Sequence, residues 1–380
     1  MTKRKTWNFW VFFLRSRNGT LYVMKKIIAV SLAALALIGV GIWDRGQVRD
    51  TGPIDAIHHF EFTSQYASIK ISAVVDSVKF AKNLDSIGPW INDFSNRYKY
   101  DSDLDKRVFN AKPGDTLVLD TESYGLFDFA LKFRDFSHGD IDVGIGNLLR
   151  TWKISWNEQG RVPSDSVKHL LVEDLKTPFY SLDSSHHAII ILKGEHHFAL
   201  GAFLEGRIMD DVANRLRQAH ATAWLIDVSG DFAYEGTKPK GEPWKGEPWV
   251  LGVKDPEQPT DLMAIVRMLP DKHSFCTSGD YEQRFTDAKG KSHHHIIDPH
   301  TGESTVGKHS ASVTTSIPWM NKNTLCTWFM VLPFEQIKEV VKQSNGQIET
   351  ILVLDSNKVW ISPGLRASTT LQTDKYKVIE

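Results

Sequence analysis

The sequence predicts an α+β protein in which one mixed domain follows a short apolar segment near the N-terminus. Strand-like and helix-like patterns alternate irregularly along the chain. Hydrophobic residues make up 41% and charged residues 24% of the 380 residues, as in ordinary folded proteins. No long linker interrupts the patterned region. We therefore expect a single domain over residues 59–365, a tether before it at 44–58 and a tail after it at 366–380.

The N-terminal region predicts a membrane anchor. Residues 27–43 carry no charge, whereas residues 1–26 carry seven Lys or Arg and no acidic residue. As a helix the apolar run would rise ~26 Å, the short end of a membrane span. Basic residues tend to stay in the cytoplasm, which predicts export of the rest of the chain. An uncleaved signal anchor is our first interpretation and a cleaved signal peptide the second, and Met24 is an alternative translation start.

Charge and cysteine content exclude several classes of protein. The formal net charge is −1, so the chain lacks the basic surplus typical of proteins that bind nucleic acid. Its two cysteines, Cys276 and Cys326, are too few for a disulfide scaffold or a thiolate zinc site. We interpret them as small buried side chains. A single disulfide in an oxidising compartment is the alternative.

Local patterns predict the principal helices and strands of the domain. Alternating or short apolar runs favour strands, and a repeat near 3.6 residues favours helices. The expected strands are 66–75, 188–192, 223–228, 249–253, 311–315 and 351–354, and residues 117–120 are expected to form a short strand or a turn. The expected helices are 78–96, 121–135, 207–218, 323–332 and 334–343.

Two glycine-containing segments could approach a ligand. In SHGDIDVGIGNLLRTW (residues 137–152), glycines permit close contact with the backbone, and Asp140 and Asp142 offer carboxylates. In LGAFLEGRIMDD (residues 200–211), Gly201 and Gly206 introduce a helix whose first amides could receive phosphate oxygens. Taken alone, the first segment also fits a turn with solvated acids and the second a tight strand-to-helix turn.

Two further motifs carry hydroxyl, imidazole and amide groups. TSGDY (residues 277–281) precedes HHHIIDPHTG (residues 293–302), where His295 and the nearby Asp298 suit acid–base chemistry at neutral pH. We expect His293 and His294 to be a run of surface histidines. In NTLCT (residues 323–327), the Asn and Thr oxygens share one helix face and suit Mg²⁺ rather than zinc, although a polar patch would have the same spacing.

Taken in order, these motifs resemble those of the ApbE family, the FAD:protein FMN transferases. TSGDY and HIIDPHTG match the family patterns nearly letter for letter, and the resemblance runs from about Phe60 to about Ser362. Weaker resemblances support it by order and spacing. They cover residues 98–110, 140–152, 200–210, 229–231 and 249–256.

The resemblance implies a single mixed α/β domain of the ApbE-like, T-fold-like kind. It also implies Mg²⁺-dependent transfer of FMN from FAD to a Thr or Ser hydroxyl of an extracytoplasmic flavoprotein in an electron-transfer system, with release of AMP. His295 would be the catalytic base, and Ala202 (through its carbonyl), Asn323 and Thr327 would bind the metal. The residues implied for the FAD site are Tyr98, Asp140, Ile141, Asp142, Glu205, Ser278, Gly279, Asp280 and Ile297.

The chain departs from the family pattern at several polar positions. Asn323 stands where the family has a metal-binding Asp, Ala199 where it has an Asp, and Asp142 where it has a hydroxyl residue. These changes leave two alternatives to a transferase. One is a divergent paralogue that binds FAD as a binding or assembly protein. The other is a structural relative that does not use flavin.

Overall fold

The computed structural model describes residues 57–63, 67–155, 158–238, 246–317 and 324–380, which belong to one compact unit. The predicted anchor, nearly all of the tether and Asn323 therefore lie outside the described residues. Within these ranges no helix is both long enough and apolar enough to cross a lipid bilayer.

The described residues form nineteen strands and nine α-helices, numbered here in chain order. The strands are β1 Ile57–Thr63, β2 Ser68–Val74, β3 Thr116–Val118, β4 Ile154–Ser155, β5 Glu158–Gln159, β6 Tyr180–Asp183, β7 Ala188–Ile191, β8 Ala223–Val228, β9 Asp231–Glu235, β10 Val250–Lys254, β11 Leu262–Arg267, β12 Ser274–Gly279, β13 Arg284–Thr286, β14 Ser292–His294, β15 Lys308–Thr315, β16 Ile348–Leu354, β17 Lys358–Ile361, β18 Thr369–Leu371 and β19 Lys377–Ile379. The helices are α1 Ser77–Tyr98, α2 Asp103–Asn110, α3 Thr121–Phe136, α4 Gly146–Trp152, α5 Asp165–Leu175, α6 Gly201–Gln218, α7 Thr324–Val331, α8 Phe334–Gln343 and α9 Pro363–Arg366.

A nine-stranded sheet forms the centre of the fold. Its strand order is β1-β2-β8-β9-β12-β15-β16-β17-β19. Every neighbouring pair is antiparallel except β17 and β19, which are parallel. Smaller sheets are β10-β11-β18 and β3-β7-β6, with hairpins β13-β14 and β4-β5. The described part of the chain is thus a mixed α/β fold built mainly on antiparallel pairing.

Both faces of the central sheet are covered. Ile348, Leu352 and Leu354 of β16 belong to the larger apolar core, which includes side chains of α1, α6 and α7. Ile351 and Val353 of the same strand belong to a second core, shared with β10 and β11. Successive side chains of a strand point to opposite faces. The sheet therefore lies between a helical layer and a smaller sheet, and every residue of β16 is buried.

The observed elements agree with the expected ones in type and differ at some boundaries. Helix α6 begins at Gly201 rather than Arg207, so Gly206 lies inside the helix and does not introduce it. The strand expected at 117–120 ends at Val118, because Asp120 caps α3 by accepting a hydrogen bond from the Ser123 amide at 2.8 Å.

The C-terminal residues are part of the fold. We expected residues 366–380 to be a tail outside the domain. Instead, β18 pairs with β11 and β19 pairs with β17. The Tyr376 hydroxyl also donates a hydrogen bond to the Asp255 carboxylate at 2.6 Å. The domain therefore continues through these two strands.

Gly146 permits a close backbone approach at the start of α4. A Cβ atom at this position would lie 2.2 Å from the carbonyl oxygen of His197. Asn147 adds to this contact, because its Oδ1 accepts a hydrogen bond from the His197 amide at 2.9 Å. The segment held in this way leads directly into α6.

We predict that Gly146→Ala lowers the free energy of unfolding by about 1–3 kcal/mol, because the added methyl must displace backbone atoms. Gly125→Ala is the matched control: Gly125 lies in α3 with open space where a Cβ atom would be added, and this change should raise stability by up to about 1 kcal/mol. Urea denaturation measures both effects. Equal stability of the two variants would contradict the close-approach argument.

Candidate functional site

Strand β12 and helix α7 bring together two motifs that lie far apart in sequence. The Ser278 hydroxyl, on β12, lies 3.2 Å from the Thr327 hydroxyl, on α7. Ser278 also donates a hydrogen bond to the Cys326 sulfur at 3.3 Å. A residue predicted to contact FAD and one predicted to bind the metal are thus direct neighbours.

The start of α6 is tied to the start of α7. The Thr324 hydroxyl donates a hydrogen bond to the carbonyl oxygen of Ala202 at 2.7 Å. Thr324 and Thr327 are three residues apart on one helix, so their side chains lie on the same side of α7. Ala202 and Thr327, both predicted metal ligands, therefore border the same small region.

Two carboxylates that act on each other, Asp231 and Glu205, belong to the elements around this region. Asp231, at the start of β9, accepts a hydrogen bond from the Thr277 amide at 3.1 Å. Burial, and secondarily the negative charge of Glu205, raise the pKa of Asp231 well above its usual range. A cation bound nearby would offset the cost of keeping these carboxylates ionised.

The donor set fits a hard cation. Hydroxyl, carbonyl and carboxylate oxygens are the ligands that Mg²⁺ prefers, and Glu205, Asp231, Ala202 and Thr327 supply all three kinds. In the described ranges, no three His, Cys, Asp or Glu side chains converge as a metal cluster. A metal here would therefore depend on mixed oxygen ligands.

His295 is half-buried and has an unusual electrostatic environment. Its Nδ1 atom is buried and has no hydrogen-bond partner among the described residues. Burial, and secondarily the neighbouring His294, lower the pKa of His295 to about 4, while a backbone hydrogen bond at Glu282 acts in the opposite direction. The ring is thus neutral at pH 7 and able to accept a proton.

The Asp298 carboxylate stabilises the loop in which it lies. It accepts hydrogen bonds from the His300 amide at 2.8 Å and from the Thr301 hydroxyl at 3.1 Å. The expectation that this carboxylate orients His295 gains no support from these contacts.

His293 and His294 do not form the expected surface run, and that expectation was wrong. His293 is 2% exposed and His294 is 5% exposed. His293 stacks on Phe285 with ring centroids 5.2 Å apart, and the His294 ring hydrogen-bonds to the Thr305 carbonyl at 2.9 Å. The hairpin of β13 and β14 packs its histidines inward, which a run of identical polar letters does not reveal.

The two predicted carboxylates of the glycine-containing segment have different surroundings. Asp140 accepts hydrogen bonds from His300 Nε2 at 2.8 Å and Trp328 Nε1 at 2.9 Å. Asp142 is buried, pairs with Arg134 Nε at 2.6 Å and caps the Gly144 amide at 2.8 Å. The alternative interpretation, a turn with solvated acids, is therefore wrong, because both carboxylates are bound to protein groups.

Three predicted FAD residues are buried among other side chains. Tyr98 is hydrogen-bonded to the Ser123 hydroxyl at 2.8 Å, and burial raises its pKa to about 12. Ile141 lies in the larger core. Ile297 packs with Leu148 and Trp152 in a third, smaller core. Their contacts with FAD remain predictions.

Gly279 and Asp280 lie at the end of β12. A Cβ atom at Gly279 would come within 2.2 Å of the Tyr281 ring, so glycine is needed for this packing. Asp280 Oδ2 accepts a hydrogen bond from His309 Nδ1 at 2.8 Å, and this bond is the main cause of the raised pKa of His309. Sequence reasoning missed His309, because no motif around it indicates a partner.

An ion cluster anchors the segment 98–110 that resembles the family pattern. The fully buried Asp105 carboxylate lies 2.8 Å from Arg150 Nη2 and 3.0 Å from His197 Nδ1. Arg150 belongs to α4, and His197 precedes α6. This cluster thus joins three segments that border the site.

The cysteines match the first interpretation. Both are free and buried, and their thiols hydrogen-bond to each other behind Ser278. Burial raises the pKa of both thiols, which keeps them protonated and weakly reactive.

Comparisons with known proteins support one family. The FAD:protein FMN transferase of Haemophilus influenzae is 23% identical over 76% of this chain and 82% of its own length. The enzyme of that name from Treponema pallidum is 26% identical over 68% of this chain and 73% of its own. A crystal structure of the ApbE protein of Thermotoga maritima has the same fold, with a TM-score of 0.68 and 23% identity over 81% of this chain and 97% of that one.

The family-wide sequence pattern gives the decisive match. The profile described as the ApbE family matches residues 65–352, well over half of the chain. This range includes β12, the His295 loop and α7. The chain therefore belongs to the ApbE family.

Proposed function

We propose that this protein is an FAD:protein FMN transferase, which moves FMN from FAD to a Thr or Ser hydroxyl of a target flavoprotein. The observation that supports this most is the 3.2 Å contact between Ser278 and Thr327, which joins the TSGDY motif to the start of α7. Curated relatives bearing this enzyme name extend over most of the chain.

The proposed reaction breaks the phosphoanhydride bond of FAD and forms a phosphoester bond. The target hydroxyl oxygen forms a bond to the phosphorus of the FMN half of FAD. The bond from that phosphorus to the bridging oxygen breaks, and AMP leaves with that oxygen. The hydroxyl proton must pass to a base, since a neutral alcohol is a weak nucleophile.

In this proposal the carbonyl of Ala202 and the hydroxyl of Thr327, with Asn323, would hold Mg²⁺. The bound ion would neutralise charge that develops on the transferring phosphoryl group. Thr324 positions the Ala202 carbonyl through its 2.7 Å hydrogen bond, and Ser278 positions the Thr327 hydroxyl.

His295 is the proposed proton acceptor. Its pKa of about 4 leaves the imidazole neutral at physiological pH, which a base requires. Its buried Nδ1 has no partner among the described residues, so the side chain is free of competing hydrogen bonds from them at that atom.

We also propose that the domain works outside the cytoplasm, tethered to the membrane by residues 27–43. This proposal is supported by the absence of charged residues from 27 to 43 and by the basic segment that precedes them. A target in an extracytoplasmic electron-transfer system would then share its compartment. The alternative of a binding or assembly protein is not favoured, because the curated relatives carry the enzyme name.

Covalent flavin transfer tests the proposal directly. We expect the protein, incubated with FAD, Mg²⁺ and a flavoprotein domain bearing an acceptor Thr, to produce a fluorescent acceptor band on a denaturing gel. An acceptor with that Thr changed to Val is the control. Retained FAD without any covalent product would favour the binding protein instead.

The Mg²⁺ concentration needed for transfer should change when an oxygen ligand of the proposed metal site is altered. Thr327→Val keeps the shape of the side chain but removes its hydroxyl, and we predict that the Mg²⁺ concentration for half-maximal transfer rises about tenfold. Asn323→Asp adds a formal charge and should lower that concentration. The exposed Thr260→Val, remote in sequence on the β10–β11 loop, is the matched control. A Thr327→Val curve that overlays the control would argue against this metal site.

The pH dependence should reflect the lowered pKa of His295. Because the neutral ring is the active form, kcat/KM should fall only as the pH drops towards about 4. We therefore predict no histidine inflection between pH 5.5 and 8, and a loss of about 100-fold or more in His295→Asn across that range. An inflection in the wild type near 6.5, the ordinary value, would be inconsistent with the buried base.

A further inference from the structure

A chain of hydrogen bonds runs from the protein surface to helix α7. His300 Nε2 donates to one oxygen of the Asp140 carboxylate at 2.8 Å. Trp328 Nε1 donates to the other oxygen at 2.9 Å. Both oxygens of one carboxylate therefore connect the loop after His295 with the residue that follows Thr327.

The outer end of this chain is well positioned despite its exposure. The His300 side chain is 55% exposed, but its backbone amide is bonded to Asp298. The ring also lies over Gly139, where a Cβ atom would be 3.7 Å from the His300 Cε1 atom. Gly139 has φ +90°, a conformation that favours glycine.

The inner end of the chain is tightly packed. Trp328 is 4% exposed, and its ring packs edge-on against Phe133 and Phe136 at centroid distances of 6.0 and 5.3 Å. The hydrogen bond from its indole N–H to Asp140 therefore adds a directional constraint on the rotation of α7 to the apolar packing that holds the helix. That rotation also sets where the Thr327 hydroxyl points.

We propose that His300 is a positioning residue for the metal site: through Asp140 and Trp328 it sets the orientation of α7 and the geometry of Thr327. This inference rests on the proposed metal-dependent transfer. The Asp140 side chain is only 14% exposed, so water would replace a lost His300 hydrogen bond poorly. The carboxylate would then rotate, and the hydrogen bond that it accepts from the Trp328 indole would be broken or shifted.

This role differs from catalysis. His300 has no assigned contact with a reacting atom, and its effect passes through two other side chains. Changes at His300 should therefore alter metal affinity more than the rate at saturating metal. Groups that orient a metal ligand typically change affinity by about 10- to 100-fold when they are lost.

The test measures binding of Mn²⁺, as a probe for Mg²⁺, by electron paramagnetic resonance in the presence of FAD. We expect His300→Leu to weaken Mn²⁺ binding by about tenfold, and His300→Gln, which keeps an N–H donor, to bind nearly as the wild type does. Trp328→Phe should weaken binding similarly. The double variant should be no weaker than the weaker single variant, because both changes break one chain.

His186→Leu is the matched control. His186 Nδ1 lies 2.8 Å from Asp183 Oδ2 in an exposed pair on the β6–β7 turn, so this variant also loses a histidine–aspartate contact. His300→Leu binding Mn²⁺ as tightly as His186→Leu would overturn the inference. So would additive effects in the double variant, or a wild type that binds no Mn²⁺.

The same measurement separates this inference from the proposed function. Mn²⁺ binding requires no flavin transfer, so a wild type that binds FAD and Mn²⁺ without transferring flavin would refute the transferase proposal alone. In an active protein, His300→Leu should raise the half-activating Mg²⁺ concentration with little change in kcat at saturating Mg²⁺. A loss of kcat that excess Mg²⁺ does not restore would contradict the positioning role.

Discussion

The contact between strand β12 and helix α7 is the constraint on which the candidate site depends. Ser278 and Thr327 meet there, and the two cysteines fill the space behind them. The strand is fixed because it lies near the middle of a sheet that is buried on both faces. The helix is fixed because its apolar side chains pack on β12 and β15. A polar site can be kept in one geometry here because the surrounding apolar core permits little movement.

Much of the fold could be predicted from sequence, since periodic patterns report which face of an element is buried. Strand β8 and helix α8 have the expected bounds. The pairing of β18 with β11 was not predictable, because about a hundred residues separate the two strands and neither carries a pairing signal. A pattern indicates that a face is buried but does not identify the element that covers it.

The motifs found in the sequence lie where a site could form, but the residue types alone did not reveal the role of each side chain. Asp140 and Asp142 are two residues apart, yet one faces α7 and the other caps its own turn and pairs with Arg134. His293, His294 and His295 are consecutive, and of these three only His295 combines partial exposure with an Nδ1 that has no partner in the described ranges. These differences come from the neighbouring elements that each side chain meets.

The parallel strand β19 has a consequence for association between molecules. Its three residues, Lys377–Ile379, pair with β17 at one side of the nine-stranded sheet. Without this pairing, the edge of β17 would present unpaired amides and carbonyls, and such edges favour association with other polypeptides. Detachment of β19 would therefore promote self-association while leaving β12 and α7, which form the candidate site, in place.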